Sequence, residues 1–178
     1  MFSGAKSFNQ PIDNWHVGSV KSFAGMFRGA RLFDQKIDKW EVEASPDMTE
    51  MFQNAESFNQ DISAGQVGSV KSFAGMFEGA RLFDQKISKW EVEDSTDVSR
   101  MFSGAKSFNH PLELWHVGSV SSFAGMFRDA SSFDQNLKTW EVEGSTDMTE
   151  MFAGATSFNQ DISVWHVGYV TSFKGMFL

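Results

Sequence analysis

A Met-Phe pair returns every 25 residues along this chain: Met1-Phe2, Met26-Phe27, Met51-Phe52, Met76-Phe77, Met101-Phe102, Met126-Phe127, Met151-Phe152 and Met176-Phe177. The period tolerates no insertion, so the 178 residues divide into units 1–25, 26–50, 51–75, 76–100, 101–125, 126–150 and 151–175, plus the start of an eighth. A unit this short cannot bury its own apolar face and must lie against a copy of itself, which predicts a stacked-repeat architecture. We therefore expect one continuous array over residues 1–178. Neither end carries the atypical polar unit that normally caps such arrays, and this predicts a segment of a longer array.

The units alternate in two flavours, giving a true repeat of fifty residues. MFSGAKSFNQPIDNWHVGSVKSFAG exemplifies the odd kind and MFRGARLFDQKIDKWEVEASPDMTE the even kind. Two periodicities share each unit. From Phe23 through Met26, Phe27, Ala30 and Phe33 the apolar spacing is three or four, which predicts a short helix or 3₁₀ turn. Ser45-Pro46-Asp47, Ser95-Thr96-Asp97 and Ser145-Thr146-Asp147 read as its N-caps. Gly4 or Gly29 in mid-turn limits it to a turn or two, since glycine costs about 1 kcal/mol there. In Ile12-x-x-Trp15-x-Val17, by contrast, Trp15 and Val17 point one way and His16 the other, the alternation of a strand. The expected fold class is thus an α/β repeat, with one short parallel strand and one short helical turn per coil.

Aromatic residues replace the usual Leu and Ile: nineteen Phe and six Trp stand against a single Tyr. Phe8, Phe33, Phe58 and their successors share one slot, and stacking predicts columns of rings worth about 0.5–1.5 kcal/mol per pair beyond area burial. Columns account for the aromatic content without a cofactor, and none is expected. Cysteine is absent, which excludes disulfides and thiolate metal sites. A net charge of −8 argues against nucleic acid as partner, because a phosphate backbone selects clustered cations. No apolar run approaches the ~20 residues that span a bilayer. Neither a signal peptide nor an N-x-S/T sequon is visible.

The pattern I-x-x-W-x-V followed by V-x-x-F/M-x-x-M-F-x-x-A-x-x-F-N/D-Q resembles the BspA-like leucine-rich-repeat surface proteins. It is most similar to their branch with units of the type MF-x-GA-x-x-FNQDIS-x-W-x-V. Asn59 through Ser63 and Asn159 through Ser163 match that wording, as do Gly4-Ala5, Gly104-Ala105 and Gly154-Ala155. The resemblance implies a right-handed leucine-rich-repeat-like solenoid, a cell-surface or secreted location, and a role in adhesion or protein binding.

Four features are candidates for function. The slot between Trp and Val reads His16, Glu41, Gln66, Glu91, His116, Glu141, His166, a candidate interaction face on which acids are separated by neutral or titratable groups. A metal set of His116, Glu141 and His166 is the sharper alternative, but outer strands ~9.6 Å apart fit a single ion poorly. The slot after the invariant Phe reads Asn9, Asp34, Asn59, Asp84, Asn109, Asp134, Asn159, a structural ladder whose oxygens suit nearby backbone donors. Gln10 and its successors extend it. The last is a break at Gly65, which replaces the Trp of six other units. An unfilled indole slot would cost about 3–5 kcal/mol, so either neighbours lean in or the gap admits a ligand. No H-E-x-x-H, G-x-S-x-G or phosphate loop is present, which predicts no enzymatic activity. The expectation is a non-catalytic scaffold that binds a protein partner or joins a larger assembly. The alternative is a carbohydrate- or metal-binding adhesin using the His/Glu face or the gap at Gly65.

Overall fold

Two residues of every coil adopt a left-handed backbone, and they decide what the coil becomes. The fourth slot (Gly4, Gly29, Asn54, Gly79, Gly104, Asp129, Gly154) has φ between 56° and 76°. The twenty-fifth (Gly25, Glu50, Gly75, Arg100, Gly125, Glu150, Gly175) has φ between 54° and 63°. Only Gly, and less readily Asn or Asp, visits this region at low cost. Spaced four residues apart, two such residues exclude an α-helix between them. The chain instead runs through consecutive turns: Met26 N–H donates to Phe23 O (3.0 Å), Ala30 N–H to Phe27 O (2.9 Å) and Phe33 N–H to Ala30 O (3.0 Å). Apolar spacings of three and four follow from that series just as they would from a helix.

The computed structural model describes residues 1–178 except Glu93, Asp94 and Thr96. Among the described residues there is no helix and no sheet. Strand-type pairing is confined to isolated parallel bridges: Asp47↔Ser72, Ser72↔Asp97, Asp97↔Ser122, Ser122↔Asp147 and Asp147↔Ser172. The expected α/β class, a leucine-rich-repeat-like solenoid with a strand and a helical turn per coil, is therefore overturned.

The coils nonetheless bond to one another, and they do so where a helix was expected. Between the turns, alternate N–H groups point along the stack. Phe23 donates to Asp47 O (3.0 Å), Gly25 to Thr49 O (2.9 Å), Phe27 to Met51 O (2.9 Å) and Gly29 to Gln53 O (2.6 Å). The segment expected to be a strand has its alternation but not its ladder. Trp90 and Val92 are buried and Glu91 is exposed, yet turns closed by Trp90 N–H on Ile87 O and Ser95 N–H on Val92 O bracket them. The indole supplies the cross-coil bond: Trp40 Nε1–H donates to Ile12 O (3.2 Å), Trp90 to Ile62 O (3.1 Å) and Trp115 to Ile87 O (3.0 Å).

The expected helix caps likewise hold coils together. Ser45, Ser95 and Ser145 are buried, and their hydroxyls donate across the stack to Val20 O, Val70 O and Ser121 O. Asp47, Asp97 and Asp147 accept the N–H two residues on, from Thr49, Ser99 and Thr149. The middle residue of the second cap, Thr96, lies outside the described residues.

Inside, identical slots sit over one another. Phe8 stacks on Phe33 and Phe33 on Phe58, with centroids 5.9 Å apart in both pairs. A second column runs through Phe27, Phe52 and Phe77 at 5.5 and 5.7 Å. Within each coil the two columns are locked face to face, as by Phe52 and Phe58 at 3.9 Å.

Candidate functional site

All seven residues of the column His16, Glu41, Gln66, Glu91, His116, Glu141 and His166 are exposed. Their burial pattern follows from the preceding Trp and following Val, which the core claims. Within the column, Glu41 and Glu91 place their carboxylates over glycines of the preceding coil. A Cβ at Gly18 would meet Glu41 Oε2 at 2.9 Å, and one at Gly68 would meet Glu91 Oε2 at 3.0 Å. The close approach accounts for Gly at positions 18 and 68, whereas Gly118 and Gly168 have room for a Cβ. Among the described residues no His–Glu ion pair forms in this column, and no three His, Asp or Glu side chains approach closely enough to share a metal ion.

Two related grooves, one hundred residues apart in sequence, are among those that open beside this column. The first, about 540 Å³, lies against Lys39, Glu41, Glu43 and Gln66. The second, about 960 Å³, is lined by Lys138, Thr139, Glu141, Glu143, His166 and Tyr169 among others. Tyr169 is 67% exposed. The sequence carries a signal for it: the only tyrosine occupies a slot held elsewhere by small residues such as Ser19, Ala44 and Gly144.

The Asn/Asp column is a hydrogen-bond ladder between coils, not within turns. Asn9 Oδ1 accepts from Asp34 N–H (2.9 Å), Asp34 Oδ1 from Asn59 N–H (2.9 Å) and Asn59 Oδ1 from Asp84 N–H (2.9 Å). The series continues through Asn109 and Asp134 to Asn159. Gln35, Gln60 and Gln85 amides donate to the same oxygens. At the odd slot out, His110 Nε2 lies 3.0 Å from Asp84 O.

Donors of this kind lower several carboxyls. The Gln160 amide and Asn159 N–H hold Asp134 below its ordinary value. Ser63 does the same for Asp61. Ser163, with Lys138 2.9 Å away, holds Asp161 well below the carboxylate range. Burial pushes Asp47 up, but hydrogen bonds from Thr49 and Ser22 outweigh it and leave a net lowering.

At Gly65 the tryptophan column is interrupted by a cavity of about 40 Å³, walled by Ile37, Trp40, Met51, Phe52, Met76 and Trp90 among others. On ~24 cal/mol per Å³ the residual void costs about 1 kcal/mol, well under the cost of an unfilled indole slot.

A family described as Mycoplasma protein of unknown function, DUF285, matches residues 1–90 and again residues 72–178. The chain belongs to the DUF285 family. Two overlapping matches on one chain fit the tandem repeat that defines it, whereas kinship with BspA-like leucine-rich repeats does not emerge from the match. No curated protein matches the chain. Among the described residues no helix of this DUF285 protein is long and apolar enough to cross a membrane.

Proposed function

We propose that the chain is a non-catalytic scaffold whose outer face binds a protein partner or takes its place in a larger assembly. One observation carries this reading: seven side chains of a single slot are all exposed in a row beside two related grooves, while the neighbouring Trp and Val slots are largely committed to packing. Extended repeated faces of this kind suit macromolecular binding. The resemblance to BspA-like surface proteins supports a surface or secreted setting. A photo-reactive residue placed at Glu41 or Glu141 should trap a partner from source-cell extract, and the same residue at Lys6 or Lys106 should not. Equal capture from both sets would sink the assignment of the face.

The exposed Tyr169 ring beside Glu141, Thr139 and His166 favours a second reading, a glycan-binding adhesin, since sugars stack on such rings next to acidic acceptors. A glycan array distinguishes the two. Binding lost on Tyr169→Ala supports the adhesin, and no binding to any glycan removes it.

A further inference from the structure

Six coils show what the fifteenth slot is built to hold, and the third lacks it. In five coils the indole N–H donates to a carbonyl 28 residues earlier, on Ile12, Ile62, Ile87, Leu112 and Leu137. Four of those carbonyls also accept a turn bond from the next tryptophan's own N–H, and Ile62 O accepts it from Gly65 N–H. The corresponding carbonyl facing the third coil is that of Ile37. It accepts the turn bond from Trp40 N–H at 3.0 Å, and among the described residues no second donor reaches it. Ile37 itself lines the apolar cavity beside Gly65, whose lining also includes the exposed Asp38 and Ala64.

We propose that this gap is a binding site for a planar aromatic ring carrying one N–H donor, an indole-type ring seated where the seventh tryptophan is missing. The walls select the class. Apolar faces above and below demand a flat hydrocarbon surface, and the Ile37 carbonyl demands a single donor at its edge. The resting volume of about 40 Å³ exceeds the ~15 Å³ that a water needs but falls short of the ~150 Å³ of an engineered cavity that holds benzene. Entry therefore requires the wall to yield. Met48, Met51 and Met76 are among the lining residues, and unbranched thioethers re-pack more readily than any other apolar side chain. The site stands whether or not the outer face binds a partner.

The full chain titrated with indole and followed by NMR is the test. Saturable shifts are expected on the Met51 and Met76 methyls and on the Trp40 and Trp90 indole N–H signals, with Kd below about 1 mM. Indene, the isostere without the donor, should bind roughly fivefold more weakly. Gly65→Trp should abolish binding, and Gly65→Leu, which fills the space without a donor, provides the same control should the first variant fold poorly. N-acetyltryptophanamide as a second probe separates the sources of the ring: its binding assigns the site to a partner's tryptophan, and its exclusion while indole binds assigns it to a free small molecule. No saturable shift, indene as tight as indole, or binding unchanged in both variants would overturn the site.

Discussion

The two halves of each coil are joined to their neighbours by different chemistry, and they differ in how much sequence change they absorb. Around residues 23–29 and their equivalents the bonds are backbone to backbone. Side chains there are interchangeable: the twenty-third slot donates across coils whether it holds Phe or Met, and the twenty-fifth whether it holds Gly, Glu or Arg. Around Trp40 and its equivalents the bond belongs to the indole, so one substitution removes both the packing and the donor. Gly65 shows the result. A backbone ladder makes a coil robust, whereas a side-chain ladder makes it specific.

The largest expected effect breaks the second half. Trp115 is fully buried and bonded to Ile87 O, so Trp115→Ala should cost about 3–5 kcal/mol in urea denaturation. Val98→Met, in the backbone-bonded half, should cost under about 1.5 kcal/mol, because Met48 and Met148 already fill that slot in sister coils. Similar losses for the two variants would erase the distinction. Next in size is repair. Gly65→Trp should add about 2 kcal/mol, from filling the void and supplying Ile37 O with a donor. A Cβ there would meet Ile62 O at 3.2 Å, a small adjustment. A lower melting temperature for that variant would show that the third coil does not accommodate an indole in the gap.

How far the sequence could carry these expectations depends on the level asked about. The period made the columns legible: Phe8 over Phe33 over Phe58 needs only that equal slots superpose. In-and-out alternation about Trp and Val was legible too, since it is a matter of which side chains are apolar. The backbone was not, because consecutive turns and a helix share the same apolar spacing. The missing signal was nevertheless printed in the fourth slot. Gly gives way there only to Asn54 and Asp129, the residues that tolerate a left-handed backbone. Reading those glycines as mere weakeners of a helix missed that they forbid one. At the candidate site, Gly65 stood out as a departure from its column and Tyr169 should have by the same test. The grooves could not be foreseen, because their shape comes from turns.

Two smaller effects sharpen the comparison further. Glu50 holds a left-handed φ of 54° and pairs with Arg28 at 3.0 Å. Glu50→Gly relieves about 1 kcal/mol of strain and forfeits an exposed ion pair worth up to about 1 kcal/mol. The net change should be near zero at low salt and stabilising at about 1 M salt, where the pair is screened; destabilisation at high salt would contradict it. Weakest is the response to acid. Asp47, Asp61 and Asp134 have folded pKa values below the ordinary 3.8. Their contribution is therefore complete above that pH and is lost as pH falls through the lowered values. Denaturation midpoints should drop below about pH 4. Asp134→Asn, which keeps the accepting oxygen as Asn59 and Asn109 do, should drop less.

The alternation of coil types also sets the step in which such a rod can lengthen or shorten. Excising residues 51–75 alone would bring Asp34 against Asp84 and Glu41 against Glu91, stacking like charges in two columns at once. Excising 51–100 would instead place Asn109 over Asp34 and His116 beside Glu41, restoring the native order. Growth by doublets, never by singlets, is what this grammar permits.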